Sequence, residues 1–314
     1  MNFTIKLPNL TVDIIYQMRM TRNSFLKYLE YEKRYSPNTL IAYENDLKQF
    51  SEYMESVYGI GDTVQTEFMH VRSWIVELMS ESVSTRSINR KLSTLKSYFK
   101  YLQKREFIDT NPMQKVIAPK AGKKLPVFLN SKQTEQLFSQ IEFEDSFSGI
   151  RDRLILELLY ATGMRRAELI FLKISDIDFK ANRLTVLGKG NKERIIPFGG
   201  ALKDVLFSYI EQRKLSFPQI ATNKLILTNK GVPVYPKLVY NTVKKYLSQV
   251  TTLDKRSPHV LRHTFATHLM DKGADLNAVK ELLGHSSLAA TQVYTHNSIE
   301  KLKRAYKQAH PKAK

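Results

Sequence analysis

The 314-residue chain contains no cysteine and a single tryptophan, and acidic residues are scarce beside basic ones. The missing cysteines exclude thiol chemistry, disulfides and Cys-type zinc sites. No uncharged apolar run reaches the roughly 18 residues that a membrane helix needs. The opening residues, MNFTIKLPNLTVDIIYQMRM, lack the basic, apolar and small-residue zones of a signal peptide. These absences predict a soluble protein of the cytosol or nucleoid. What is abundant is positive charge. There are 49 Lys plus Arg against 30 Asp plus Glu, a net of +19, which points to a polyanionic partner. With 42% hydrophobic and 11% aromatic residues the chain is ordinary for a folded protein. Its length predicts about two domains, each with its own core.

From Thr21 to Arg105 apolar residues recur every three or four positions, as in Phe25, Leu26, Leu29 and Leu40, Tyr43, Leu47, Phe50. Four helices fit this stretch. Ser36-Pro37-Asn38 opens the second, with Ser36 as N-cap. Ser84-Thr85 opens the fourth, whose inner face carries Ile88, Leu92, Leu95, Phe99 and Leu102. Asn111-Pro112 ends the helical pattern, and the Pro/Gly/Lys-rich stretch at 118–127 reads as an exposed linker. The chain therefore divides into an N-terminal extension (1–19), a helical domain (20–117), the linker (118–127) and a second domain (128–314). Residues 118–314 hold 33 basic and 17 acidic residues, so +16 of the excess lies there. In that domain, helices around 148–162 and 201–215 bracket two β-type runs, 183–187 and 194–198, joined by a glycine-rich basic turn. Leu225-Ile226-Leu227 reads as a third β-like run. Helices follow at 236–250, 258–272, 275–283 and 298–309.

Four segments of the second domain carry residues suited to phosphate chemistry. In Thr162-Gly163-Met164-Arg165, Gly163 ends one helix and Arg165 stands at the start of the next, a position that favours an anion; the alternative is a surface ion pair with Glu168. Gly188-Lys189-Gly190 presents a lysine on a bare turn and lacks P-loop spacing, and taken alone it favours a solvated turn lysine. His259 and Arg262 share a helix face, pairing a proton-transfer group with a bidentate cation. His263 and His268 read as packing or solvent-contact residues. Leu283-Gly284-His285 is followed nine residues after the histidine by Tyr294, which alone, among 16 tyrosines, carries little weight.

Together these segments resemble the catalytic signature of the tyrosine recombinases (tyrosine integrases), most closely the Xer group. Thr162-Gly163-Met164-Arg165 is similar to the motif of the first family arginine, and 188–194 to the β-hairpin lysine motif. His259-x-x-Arg262 is similar to the H-x-x-R box, Leu282-Leu283-Gly284-His285 to the second histidine motif, and Tyr294 to the nucleophile. Ser36-Pro37-Asn38-Thr39-Leu40, Asn89-Arg90-Lys91-Leu92-Ser93 and the ending His310-Pro311-Lys312-Ala313 also look like Xer segments. Arg166 and Ala167 depart from the pattern, standing where many relatives carry a small aliphatic residue and Ser.

The resemblance implies a mainly α fold with a small β-sheet. An all-α core-binding domain and an α+β catalytic domain would form a clamp around DNA. It implies Arg165, Lys189, His259, Arg262, His285 and the nucleophile Tyr294 as catalytic residues, with no cofactor, metal or ATP. It further implies a double-stranded target site, four protomers exchanging strands alone or with a paired recombinase, a DNA translocase as a possible activator, and a C-terminal helix that docks on a neighbouring protomer. Three other readings stay open: a mobile-element integrase, an inert architectural DNA-binding module, and a type IB topoisomerase. The Xer-like first domain speaks against the last.

Overall fold

Ser36 and Ser84 set where two helices of the first unit begin. Each hydroxyl accepts the N–H three residues on, from Thr39 at 3.4 Å and Ser87 at 3.3 Å, satisfying a donor that the helix leaves free. A computed structural model describes residues 21–120, 122, 126–188, 192–284 and 296–312. The chain splits into two units, Met1–Lys124 and Leu125–Lys314. The N-terminal extension and the site residues Lys189, His285 and Tyr294 lie outside the described residues.

The first unit is helical. The stretch 21–32 (α1) ends in a π-type turn, Tyr28–Glu32, and is followed by α2 (Pro37–Tyr58), α3 (Phe68–Ser80) and α4 (Thr85–Lys104). Phe25, Phe50, Trp74, Tyr98 and Phe99 form the centre of its core. The face of α4 read from the sequence, Ile88 to Leu102, is buried there. The helix stops at Lys104, before Asn111-Pro112. Glu106 takes a left-handed conformation (φ 59°), and the Phe107 and Glu106 N–H groups turn back to the Leu102 and Gln103 carbonyls. This is a Schellman end built on a glutamate, which hides it from a search for glycine.

The second unit surrounds a helix with no polar face. Twelve of the 16 residues of α6 (Phe147–Thr162) are buried, and α8 (Gly200–Ser216), α9 (Pro236–Val250) and α10 (Pro258–Asp271) pack on it. Before it stands α5 (Ser131–Glu135), continued by a π-type turn; after it come α7 (Arg166–Phe171) and a three-stranded antiparallel sheet. The sheet comprises β1 (Ile177–Asp178), β2 (Arg183–Leu187) and β3 (Glu193–Pro197), with β2 and β3 in a hairpin that pairs Leu187 with Glu193. Finally α11 (Leu276–Leu283) and α12 (His296–Ala309) close the unit, with Leu302, Tyr306 and Ala309 of α12 in its core.

The expected β-like run Leu225-Ile226-Leu227 does not join the sheet; the two residues of β1 do. The N–H of Leu225 goes to the Leu172 carbonyl at 2.8 Å and that of Leu227 to the Tyr209 hydroxyl at 2.9 Å, so a loop and a side chain take the bonds a strand would offer. Only isolated bridges remain, Lys173 with Lys224 and Leu227 with Pro233. Among the described residues no helix is long and apolar enough to cross a membrane.

Candidate active site

Gly163 ends α6 in the left-handed conformation (φ +60°), and a Cβ there would lie 2.4 Å from Phe265 Cδ1. Glycine is required on both counts. The chain then turns so that Arg165 becomes the N-cap of α7, and Glu168 accepts the Arg165 backbone N–H at 2.7 Å. The same carboxylate takes Arg165 Nη1 at 2.8 Å. Arg165 thus stands at a helix start, as expected, and its pair with Glu168 is on the carboxylate side a buried one rather than the surface pair that the sequence suggests. The side chain is 34% exposed, so part of the guanidinium remains open to a ligand.

His259 and Arg262 lie one turn apart at the start of α10, His259 exposed and Arg262 buried. Arg262 donates to the Gly163 carbonyl and to the Leu283 carbonyl, both at 2.6 Å. These carbonyls sit at the ends of α6 and α11, where the helix leaves acceptors free and the macrodipole is negative. The sequence reading did not single out Arg194. On β3 it occupies the inward phase shared with Ile196, and it is 4% exposed. It forks onto both oxygens of Glu168, at 2.9 and 2.7 Å, and donates through Nε to the Leu282 carbonyl at 2.8 Å. Arg165 Nη2 reaches the next carbonyl but one, that of Gly284, at 3.2 Å. Three arginines thus hold the carbonyls of Leu282, Leu283 and Gly284, one each. The signal that would have exposed Arg194 is a charge in the apolar phase of a strand.

Arg165 and Arg194 share the Glu168 carboxylate and Arg262 is held by carbonyls beside them, so the cluster is positively charged. Burial, then the charges of Arg165 and Arg194, push Arg262 down to about 10, against the pull of Glu168; it remains protonated at neutral pH. Burial acts to raise Glu168, but the hydrogen bond and charge of Arg194, then the bonds from Arg165, outweigh it and hold the carboxyl below its usual range. Loss of hydration, followed by the charges of His263, Arg262, Arg166 and Arg165, lowers His259. Its imidazole is then neutral at pH 7 and open to a proton. Such a pocket suits a phosphodiester, whose non-bridging oxygens match the planar forks.

Of the six expected site residues, the structure brings Arg165, His259 and Arg262 together. Lys189, His285 and Tyr294 are outside the described residues; Gly188 and Gly284, the neighbours of the first two, flank the arginine cluster. His268 bonds Tyr160 through Nδ1 at 3.1 Å in the core, and His263 is exposed. Among the described residues no group of three His, Asp or Glu is placed to hold a metal. In the first unit α4 exposes Arg86, Arg90, Lys96, Lys100 and Lys104, while Lys91 is buried against Asp46 at 3.3 Å.

The guanidinium cluster sits where α6, α7, β3, α10 and α11 meet, and comparison with known proteins places the chain. The Phage integrase family profile matches residues 127–301, and its N-terminal SAM-like domain matches 23–106. Tyrosine recombinase XerC of Staphylococcus aureus is 40% identical, with 95% of this chain and 98% of that one aligned. XerC of Chlorobaculum tepidum is 38% identical over 92% and 94%. The fold is similar to that of XerH bound to a palindromic difH substrate (22% identity, TM-score 0.71, 97% and 99% covered). It is also similar to a lambda integrase dimer on a core site (20% identity, TM-score 0.63, 88% and 99% covered). The chain belongs to the phage integrase family and is a Xer-type tyrosine recombinase, an enzyme of site-specific DNA recombination.

Proposed function

We propose that this enzyme cuts and rejoins DNA through Tyr294 at a dif-like site, resolving chromosome or plasmid dimers by way of a Holliday junction. Tyr294 Oη attacks the scissile phosphorus, the new P–O bond forms on the 3′ side, and the bond to O5′ breaks. The phosphodiester energy is conserved in the phosphotyrosyl link, so the reverse attack by a 5′-hydroxyl needs no added energy source. Tyrosine ordinarily titrates near 10 and must lose its proton; the neutral His259 takes it. Arg165 and Arg262 hold the non-bridging oxygens as charge grows on them. Lys189 protonates the departing O5′, and His285 hydrogen-bonds the phosphate. The observation that carries this reading is the cluster in which Arg165 and Arg194 share the Glu168 carboxylate and Arg262 joins them at the end of α11.

On this reading residues 20–117 are the core-binding domain and 128–314 the catalytic domain, closing on duplex DNA across the linker 118–127. Four protomers, identical or paired with a second recombinase, assemble on two sites, with α12 leaving the core of its own unit, where Leu302, Tyr306 and Ala309 pack, to dock on a neighbour, and with a DNA translocase as activator. The enzyme works in the cytoplasm, on the nucleoid. Identity of 38–40% to XerC relatives over more than nine-tenths of the chain supports the chromosomal role over a mobile-element one. The test is a plasmid with two direct repeats of the inverted-repeat site from the host's replication terminus. Resolution into two circles is expected; resolution only on a mobile element's attachment sites would assign the enzyme to that element.

A further inference from the structure

Arg194 meets the segments that lead to three candidate catalytic residues, Arg165, Lys189 and His285. Its fork pairs with Glu168, which in turn holds both the backbone N–H and the guanidinium of Arg165. Its Nε bonds the Leu282 carbonyl in the last turn of α11. A Cβ on Gly284, the residue before His285, would lie 3.1 Å from Arg194 Cδ and 3.2 Å from Nη1. One on Gly188, the residue before Lys189, would lie 3.6 Å from Nη1. The side chain thus fills the gap between two bare backbone segments, and all three of its donor-bearing nitrogens are used inside the protein. Three of its five N–H donors are spent in this way, and at 4% exposure the other two are enclosed by the protein.

We propose that Arg194 is a positioning residue: it fixes Arg165, through Glu168, against the end of α11 and the base of the β2–β3 hairpin. The inference rests on the proposed strand-cleavage chemistry. A cation bonded within the protein at every nitrogen and only 4% exposed acts on that chemistry through its neighbours, and a buried ion pair is weak evidence of a stabilising role. Geometry is what it supplies. The planar fork holds two carboxylate oxygens and a carbonyl at fixed angles, and one lysine ammonium has no means to reproduce this.

Two variants test it, Arg194→Lys, which keeps the charge, and Arg194→Gln, which keeps a hydrogen-bonding head without the charge or the fork. Each is assayed for adduct formation on a nicked duplex carrying the host's terminus site, at saturating DNA, beside duplex affinity, the folded fraction at the assay temperature, and hydrogen exchange at the Arg165 amide. The expected result for whichever variant is folded is parent-like affinity, cleavage slowed about 100-fold, the scale of a 1 Å misplacement, and faster exchange at Arg165. Cleavage at the parent rate in a folded variant, or an unchanged Arg165 amide, overturns the proposal. If the parent itself yields no adduct, the cleavage reading fails, and the exchange comparison, which needs no DNA, still decides the role of Arg194.

Discussion

His259 stands one turn ahead of Arg262, with His263, Arg166 and Arg165 also acting on it, and desolvation with these charges lowers its titration below the ordinary 6.5. Because the charged form is the disfavoured one, lowering the pH through the usual histidine range leaves the ring neutral for longer. A titration followed by histidine NMR should give a midpoint below 6.5 in the free protein. Binding duplex should move that midpoint upward, since phosphate cancels the positive field. A midpoint at 6.5 that DNA leaves in place would contradict the site's electrostatics. His259 and Arg262 were legible from sequence because the helical period puts them one turn apart, and Arg165 because Gly163 announces the helix end just before it. Arg194 was not. Its carboxylate partner lies 26 residues away and its carbonyl partner 88, separations that no local pattern encodes.

The ends of elements, more than their middles, shape this site. Gly163 terminates α6 where the left-handed backbone and the Phe265 ring both exclude a side chain. Gly163→Ala combines left-handed strain with overpacking and should cost about 3 kcal/mol in chemical denaturation. Cleavage should fall further than stability does, because the Gly163 carbonyl holds Arg262. A cost within experimental error would show that the turn relaxes freely. Helices were readable where caps announce them, as at Ser36, Ser84 and Pro258. Other ends were hidden: α4 closes on Glu106 in a conformation usually given to glycine, and β1 is too short to show alternation. The run 225–227 has strand composition but finds its hydrogen-bond partners in a loop and a tyrosine, a tertiary outcome that outweighs local propensity.

Across the whole molecule, charge and burial pull in opposite directions. The excess of +19 favours a polyanion, yet burial of His310 beside Tyr160, Phe265 and Tyr306 drives its titration down to about 3, and His268 is lowered too. The unfolded chain takes up a proton near 6.5 while the folded His310 does so only near 3. Stability is therefore complete above 6.5 and declines as pH falls through that window, by about 2 kcal/mol at pH 5 for this one group. His310→Asn should flatten the pH dependence of urea unfolding followed by circular dichroism; an unchanged slope would refute the assignment. The measurement that tests the account most directly compares the parent with Tyr294→Phe on a nicked suicide duplex bearing the host's terminus site, scored for a denaturant-resistant protein–DNA band. A band is expected with the parent and none with Tyr294→Phe, with equal duplex binding by both. A band that survives Tyr294→Phe would contradict the nucleophile role of Tyr294.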